Sequence, residues 1–285
     1  MVTMEEGCMV FRLDGVKIEY LAEKPITKNP KLIQGLLGVG HVGLLAVKQL
    51  ITSLKAEKIA DIYSTGFLYP GSSIPGVVFG DGGIVELGKD ELYYDDKNDL
   101  FLLTGLYQGT EPKGYYDFAN ALLDMCDEFG IKEIYTLGGF GIGQSVAVPK
   151  VRAILADKDT ARYIESRGVR LEIATATEGS LGVTGLAGIL VPMAVKNGIK
   201  AACLLGETHG AYPDPRSAKA SLLKLAEILG IKVQTPELDT QIKSMELELE
   251  KMEDQVIKVK EAFEHWQQGE KKKEAGTGED LPYIG

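Results

Sequence analysis

The sequence is poor in the residues that most often carry chemistry: three cysteines, three histidines and one tryptophan in 285 positions. Cys8, Cys126 and Cys203 are odd in number, far apart and free of any Cys-x-x-Cys spacing. That pattern argues against a disulfide framework and for a reducing, intracellular compartment. Cations are in deficit too, with 31 Lys and Arg against 41 Asp and Glu, a net charge of −10. Nucleic acid and anionic membrane surfaces both need clustered cations, so neither is expected as a partner. The opening MVTMEEGCMV has acids where a signal peptide needs bases, and no apolar core follows it. The longest near-apolar stretch, Leu186 to Val195, is too short to span a bilayer and contains Pro192. A cytoplasmic protein is expected.

The rest is ordinary globular composition, 45% hydrophobic and 25% charged, punctuated by 34 glycines. After a mixed start with a short alternating stretch (Val16, Ile18, Tyr20), strand-like and helix-like segments alternate from about residue 31 to 235. Leu32–Leu37, Lys58–Ser64, Leu100–Thr104, Ile134–Leu137, Arg170–Thr175 and Lys200–Leu205 read as strands. Val42–Leu54, Tyr116–Phe129, Thr160–Arg167, Leu186–Asn197 and Arg216–Leu229 read as helices. Gly130, Gly198 and Gly230 stop three of them, and Asp214-Pro215 supplies a cap and a first-turn proline. This alternation predicts an α/β layer with a mostly parallel sheet in a domain spanning residues 1–235.

A different regime begins at Pro236. Leu238, Ile242, Met245, Leu249, Met252, Val256, Val259, Phe263 and Trp266 are spaced alternately four and three apart among Glu and Lys. That is a heptad seam over residues 236–268, narrower than an ordinary core-facing stripe. It predicts helix–helix association, with another copy or with a helix of the same chain; an amphipathic helix lying on its own domain is the alternative. Residues 269–285 are charged and Gly-containing until Leu281-Pro282-Tyr283-Ile284-Gly285, and are expected to form a disordered tether with an apolar end. Residues 236–285 hold 13 acids and 7 bases, so −6 of the −10 lies in this appendage.

Candidate ligand motifs are few. Gly38-Val39-Gly40-His41-Val42-Gly43 matches G-x-G-x-x-G between a strand and a helix, where Gly38, Gly40 and Gly43 would let a pyrophosphate approach the helix start. Asp61 lies about 20 residues on, where a ribose-binding acid belongs, but inside its strand rather than at the end. A closely packed strand-to-helix turn explains the same glycines. Gly138–Gly143 and Gly179–Gly185 are further glycine-rich turns, and Gly80-Asp81-Gly82-Gly83 reads as turn chemistry. Glu207-Thr208-His209 with Asp214 is the nearest approach to an acid/base cluster. No second His or Cys stands beside it for a metal, and no Gly-x-Ser-x-Gly elbow occurs, so loop hydrogen bonding is the simpler role. No cofactor, metal or catalytic set is expected.

The segments GLLGVGHVGLLAVKQLI, KIADIYSTGFLYP, YYDFANALLDMCDEFGIKEIYTLGG, GLAGILVPMAVKNGIKAACLLGET and DPRSAKASLLKLAEILGIKV, in that order, resemble the proteasome assembly chaperone family of archaeal and eukaryotic proteins. The resemblance covers roughly residues 30–238. It implies a three-layer α/β/α fold similar to purine nucleoside phosphorylases without their activity, and assembly with itself or with a paralogous family subunit. It also implies a non-catalytic role at the proteasome core particle, chaperoning α-subunit rings or docking on them as an ATP-independent activator. Family members of this kind can end in a hydrophobic–Tyr–any motif that inserts between α subunits. Here Pro282 and Tyr283 fit the first two places, but two residues follow the tyrosine instead of one. That extension moves the carboxylate by up to about 3.5 Å relative to the ring. A twelve-residue tether reaches roughly 20 Å, enough to find a pocket from a rigid base.

Overall fold

The computed structural model of the protein describes residues 3–5, 8–10, 12–68, 72–174, 182–248, 250–251 and 255. Contacts divide the chain into Met1–Leu238 and Asp239–Gly285. In chain order the first unit contains β1 (Thr3–Glu5), β2 (Cys8–Val10), β3 (Val16–Tyr20), β4 (Lys31–Leu36), α1 (Val42–Leu54), β5 (Glu57–Ser64), β6 (Val77–Phe79), β7 (Val85–Leu87), β8 (Asp90–Asp95) and β9 (Leu100–Gly105). There follow α2 (Pro112–Phe129), β10 (Glu133–Gly141), β11 (Val151–Leu155), α3 (Lys158–Glu165), β12 (Glu172–Ile173), α4 (Leu186–Lys196), β13 (Lys200–Thr208) and α5 (Pro215–Leu229).

Nine strands form one sheet in the order β12-β11-β13-β10-β4-β9-β8-β5-β3. The central four, β13, β10, β4 and β9, are parallel. Around them β11 joins β13, β8 joins β9, and β5 joins both β8 and β3, all antiparallel. The central strands read as near-continuous apolar runs because both their faces are covered. Alternate side chains go to opposite sides. Leu32, Phe101 and Cys203 join the core with α2 and α4, whereas Ile33, Leu102 and Leu204 join the core with α1, α3 and α5. The result is three layers, helices on both faces of a large sheet. Each fully buried side chain of this kind contributes about 1.5–3 kcal/mol.

Local signals place the helices. Asp214 accepts the Ser217 N–H at 3.2 Å, Pro215 fills the first turn of α5, and Gly230 closes it in a left-handed conformation (φ 68°). Helix α2 starts a turn earlier than its apolar spacing indicates, at Pro112, whose missing N–H costs nothing at that position. The sequence segment Ile134–Leu137 proves to be only the first part of a nine-residue strand, which runs on through Gly138-Gly139-Phe140-Gly141. Those glycines are strand residues rather than a turn, because neighbouring backbone lies against them. A Cβ on Gly139 would sit 2.2 Å from the Val39 carbonyl oxygen. Among the described residues no helix is long and apolar enough to cross a membrane.

Candidate functional site

The four parallel strands end along one edge, at Leu36, Gly105, Gly141 and Thr208. In sheets of this kind ligands usually bind in the crevice outside these carboxyl ends. The Gly38–Gly43 turn lies there. Gly38 is extended (φ −166°), Gly40 and His41 are left-handed (φ 59° and 52°), and α1 starts at Val42. The turn is tightly enclosed by its own chain. A Cβ on Gly43 would fall 2.2 Å from the Leu137 carbonyl oxygen, and one on Gly40 would fall 2.6 Å from Thr208 Oγ1. Asp214 donates its N–H to the Gly40 carbonyl at 2.9 Å. Gln108 donates from its side-chain amide to the Leu37 carbonyl, and its Oε1 accepts the Leu186 N–H at 3.2 Å, tying β4 to the start of α4.

A pyrophosphate needs those glycine faces and helix-start N–H groups open. Here the faces of Gly40 and Gly43 are turned against protein atoms. The ribose-binding acid is also misplaced. Asp61 lies on β5, which β9 and β8 separate from β4, and it pairs with Lys58 at 2.6 Å and Lys89 at 3.2 Å. The structure does not bring Asp61 to the turn. Close packing accounts for Gly40 and Gly43, and Gly38 has only the Gln108 Nε2 atom near its open face, at 3.6 Å.

The Glu207–Asp214 cluster is partly engaged internally, while His209 Nδ1 and Asp214 Oδ2 are buried without a hydrogen-bond partner. Arg152 donates to Glu207 Oε1 from Nε at 3.0 Å and Nη2 at 2.7 Å. Thr208 Oγ1 accepts the Gly210 N–H at 3.3 Å, and His209 stacks on Tyr212 with ring centroids 5.0 Å apart. Asp214 caps α5. Of this cluster, Thr208 and Asp214 hydrogen-bond to nearby backbone N–H groups. Cys126 and Cys203 are buried, and desolvation pushes both thiols up to about 12, which suppresses the thiolate. No group of three or more His, Cys, Asp and Glu among the described residues could hold a metal ion. A cleft of about 210 Å³ beside the turn, lined by Leu37, Phe67, Tyr107 and Tyr115 among others, is smaller than the ~300–1,000 Å³ usual for small-molecule sites.

One buried carboxyl was not legible in the sequence. Asp90, fully buried at the start of β8, accepts the Tyr107 N–H at 3.0 Å on Oδ1, while Oδ2 has no partner. Gly105 makes the space, since a Cβ there would lie 1.9 Å from Oδ1. Desolvation drives its pKa well above the usual carboxylate range, against the opposing N–H bonds from Tyr107 and Leu106. The unfolded chain loses this proton near pH 4 and the folded chain keeps it, so the stability Asp90 contributes is present below that pH and is lost as pH rises towards the folded value. Asp90→Asn imitates the protonated form. It should match the parent at pH 4 and exceed it by a margin that widens as pH rises, in urea unfolding followed by circular dichroism. A constant difference across pH would show that Asp90 ionises normally.

The heptad residues fall into two groups. Leu238 is 1% exposed and belongs to the core of the first unit with α1 and α5. The chain is helical over 236–248, and within it Ile242 and Met245 are half-buried. Leu249, Met252, Val256, Val259, Phe263 and Trp266 lie outside the described residues, as do Leu281, Pro282, Tyr283, Ile284 and Gly285.

With this geometry, comparison with known proteins is informative. The PAC2 family model matches residues 32–253. An uncharacterised protein of Methanocaldococcus jannaschii is 32% identical over 262 residues, 90% of this chain and 93% of that protein. The crystal structure of Pyrococcus furiosus PbaB, described as an archaeal proteasome activator, is 33% identical, covers 84% of this chain and 99% of its own, and superposes with a TM-score of 0.75. P. furiosus PbaA, an archaeal homologue of a proteasome-assembly chaperone, shares the fold at 24% identity and a TM-score of 0.68, covering 90% of this chain and 99% of its own. A layered sheet whose glycines serve packing, a family model spanning most of the chain and a relative alike over nine-tenths of it lead to one assignment: the chain belongs to the PAC2 family.

Proposed function

We propose that this protein is a non-enzymatic partner of the proteasome core particle, a chaperone of its assembly or an ATP-independent activator. The observation that carries the reading is the 33% identity to the PbaB activator across 99% of that chain. The Arg152–Glu207 pair, the buried thiols and the closed Gly38–Gly43 turn favour binding over catalysis. In this reading the α/β unit is a rigid base that assembles with further copies or with a paralogous family subunit. The seam from Ile242 to Trp266 consolidates that assembly, and Leu281–Gly285 dock on core-particle α subunits. Capture of a terminal segment in a pocket is an established recognition mode, and several tails on one assembly raise avidity through effective concentration.

The test is direct. Full-length protein and purified core particle, mixed without nucleotide, should co-migrate in native electrophoresis. Separate migration at tens of micromolar would contradict the proposal.

A further inference from the structure

Strand β3 ends the nine-stranded sheet, and among the described residues no strand pairs with its outer edge. The phase of its backbone follows from its pairing with β5. The Leu21 N–H donates to the Ile59 carbonyl at 2.8 Å, and the Thr65 N–H donates to the Gly15 carbonyl at 2.9 Å. Residues that exchange such bonds alternate along an antiparallel ladder. In the register Lys17↔Tyr63 and Glu19↔Asp61, the backbone of Lys17 and Glu19 is therefore bonded to β5. The N–H and C=O groups of Val16, Ile18 and Tyr20 point the other way, and no backbone group among the described residues bonds to them there. The side chains are placed as well. Val16, Ile18 and Tyr20 pack against the core that contains α2. Lys17 and Glu19 lie on the opposite face, where they pair at 3.1 Å. The far end of the sheet offers less, since β12 has only two residues.

An open edge is a template for another strand, and the charges on it control what pairs there. In β3 those charges are self-complementary. Two copies of the edge related by a two-fold axis, the commonest symmetry of homo-oligomers, meet antiparallel. Outward residues must oppose outward residues, so the possible registers differ by steps of two. With the axis at Ile18, Val16 opposes Tyr20 of the second copy, Ile18 opposes its own counterpart, and each such pair exchanges two backbone bonds. Lys17 then stands directly opposite Glu19 of the second copy, and Glu19 opposite Lys17, in the closer non-bonded positions where opposite charges attract. A slip of one step opposes the two Lys17 side chains, and a slip the other way opposes the two Glu19 side chains. Either slip also leaves an outward residue of β3 without a partner strand residue. Sequence and backbone phase together select one register. Pairing over a five-residue strand buries less than a standard interface and draws its affinity from main-chain bonds, so association in the micromolar range is expected.

We propose that β3 is a self-recognition edge, through which two copies of this chain join into one continuous sheet centred on Ile18. This rests on the self-assembly part of the proposed function and is independent of docking on the core particle. Light scattering coupled to size exclusion, on the full chain at 1–100 µM, tests it with Lys17→Glu, Glu19→Lys and the double exchange. The parent should run as an even multiple of the 30.9 kDa chain. Each single exchange opposes like charges across the axis and should fall to half the parent mass, with unchanged circular dichroism. The two single variants mixed one to one bring opposite charges together again and should regain the parent mass, as should the double exchange. Parent mass in both single variants would overturn the edge and leave self-assembly to another surface. Half mass that persists in the mixture and in the double exchange would overturn the register centred on Ile18. A monomeric parent would overturn self-assembly itself. Amide hydrogen exchange in the unsubstituted protein gives a reading independent of any variant's folding. In the associated protein the Val16, Ile18 and Tyr20 amides should exchange at least roughly tenfold more slowly than an unstructured peptide, and peptide-like rates there would rule the edge out.

Discussion

Gly43→Ala should cost the folded domain about 3 kcal/mol or more, and Gly38→Ala less than about 0.5 kcal/mol. The two glycines begin and end one short motif, yet their surroundings differ. Gly43, in the first turn of α1, is wedged between strands: its absent Cβ would lie 2.2 Å from the Leu137 oxygen of β10 and 3.3 Å from the Gly35 Cα of β4. Gly35 is equally tight, with a Cβ position 2.2 Å from the Gly43 oxygen. Helix α1 thus crosses the sheet at a separation only two glycines permit, and the atoms in the way are backbone that cannot rotate aside. Gly38 is in extended backbone open to any residue, and its nearest neighbour is the Gln108 amide at 3.6 Å. Urea unfolding of both variants measures the contrast. Equal small effects would mean the helix sits farther from the sheet; equal large effects would give Gly38 a role the packing does not supply.

Leu238→Ala should remove about 3 kcal/mol, and the loss should not depend on protein concentration. Leu238 opens the heptad pattern, but its side chain is in the core beneath α1 and α5 and its N–H donates to Gln49 Oε1 at 3.0 Å. Gln49 is itself buried, and its amide donates to Glu237. Truncation therefore leaves a cavity inside the domain. A seam residue serving only to join copies would behave differently, its effect absent in dilute protein and growing as concentration rises and association contributes. Unfolding midpoints at 1 and 100 µM separate the two: a constant deficit supports the core placement, and a deficit seen only at the higher concentration contradicts it.

The elements that local punctuation marks were the most legible. Val42–Leu54 is a helix over the same residues in sequence and structure, and Asp214-Pro215 with Gly230 bounds α5 as caps should. The strands that escaped notice are those whose burial does not follow apolar alternation. In β8, Asp90 is buried for the Tyr107 amide and Glu91 is paired with Lys58, so DELYYD looks like surface. In β10, glycines continue a strand because Val39 presses on Gly139. Gly80–Gly83 reads as turn chemistry, and the structure makes it the tip of a hairpin whose exposed apolar face no periodicity could distinguish from core. The G-x-G-x-x-G spacing is the most ambiguous signal. A tight turn for phosphate and a tight turn for packing need the same residue, and only the atoms opposite Gly40 and Gly43 tell them apart.

The central claim is that this chain meets the proteasome core particle through Leu281–Gly285. Its most direct test is the affinity of two proteins, the full chain and one ending at Asp280, for immobilised core particle in nucleotide-free buffer, measured by surface plasmon resonance. The account predicts saturable binding by the full chain and at least a hundredfold weakening on truncation, with both proteins retaining the same mass in solution. Undiminished binding by the truncated chain would contradict tail docking, and no binding by either would contradict the account as a whole.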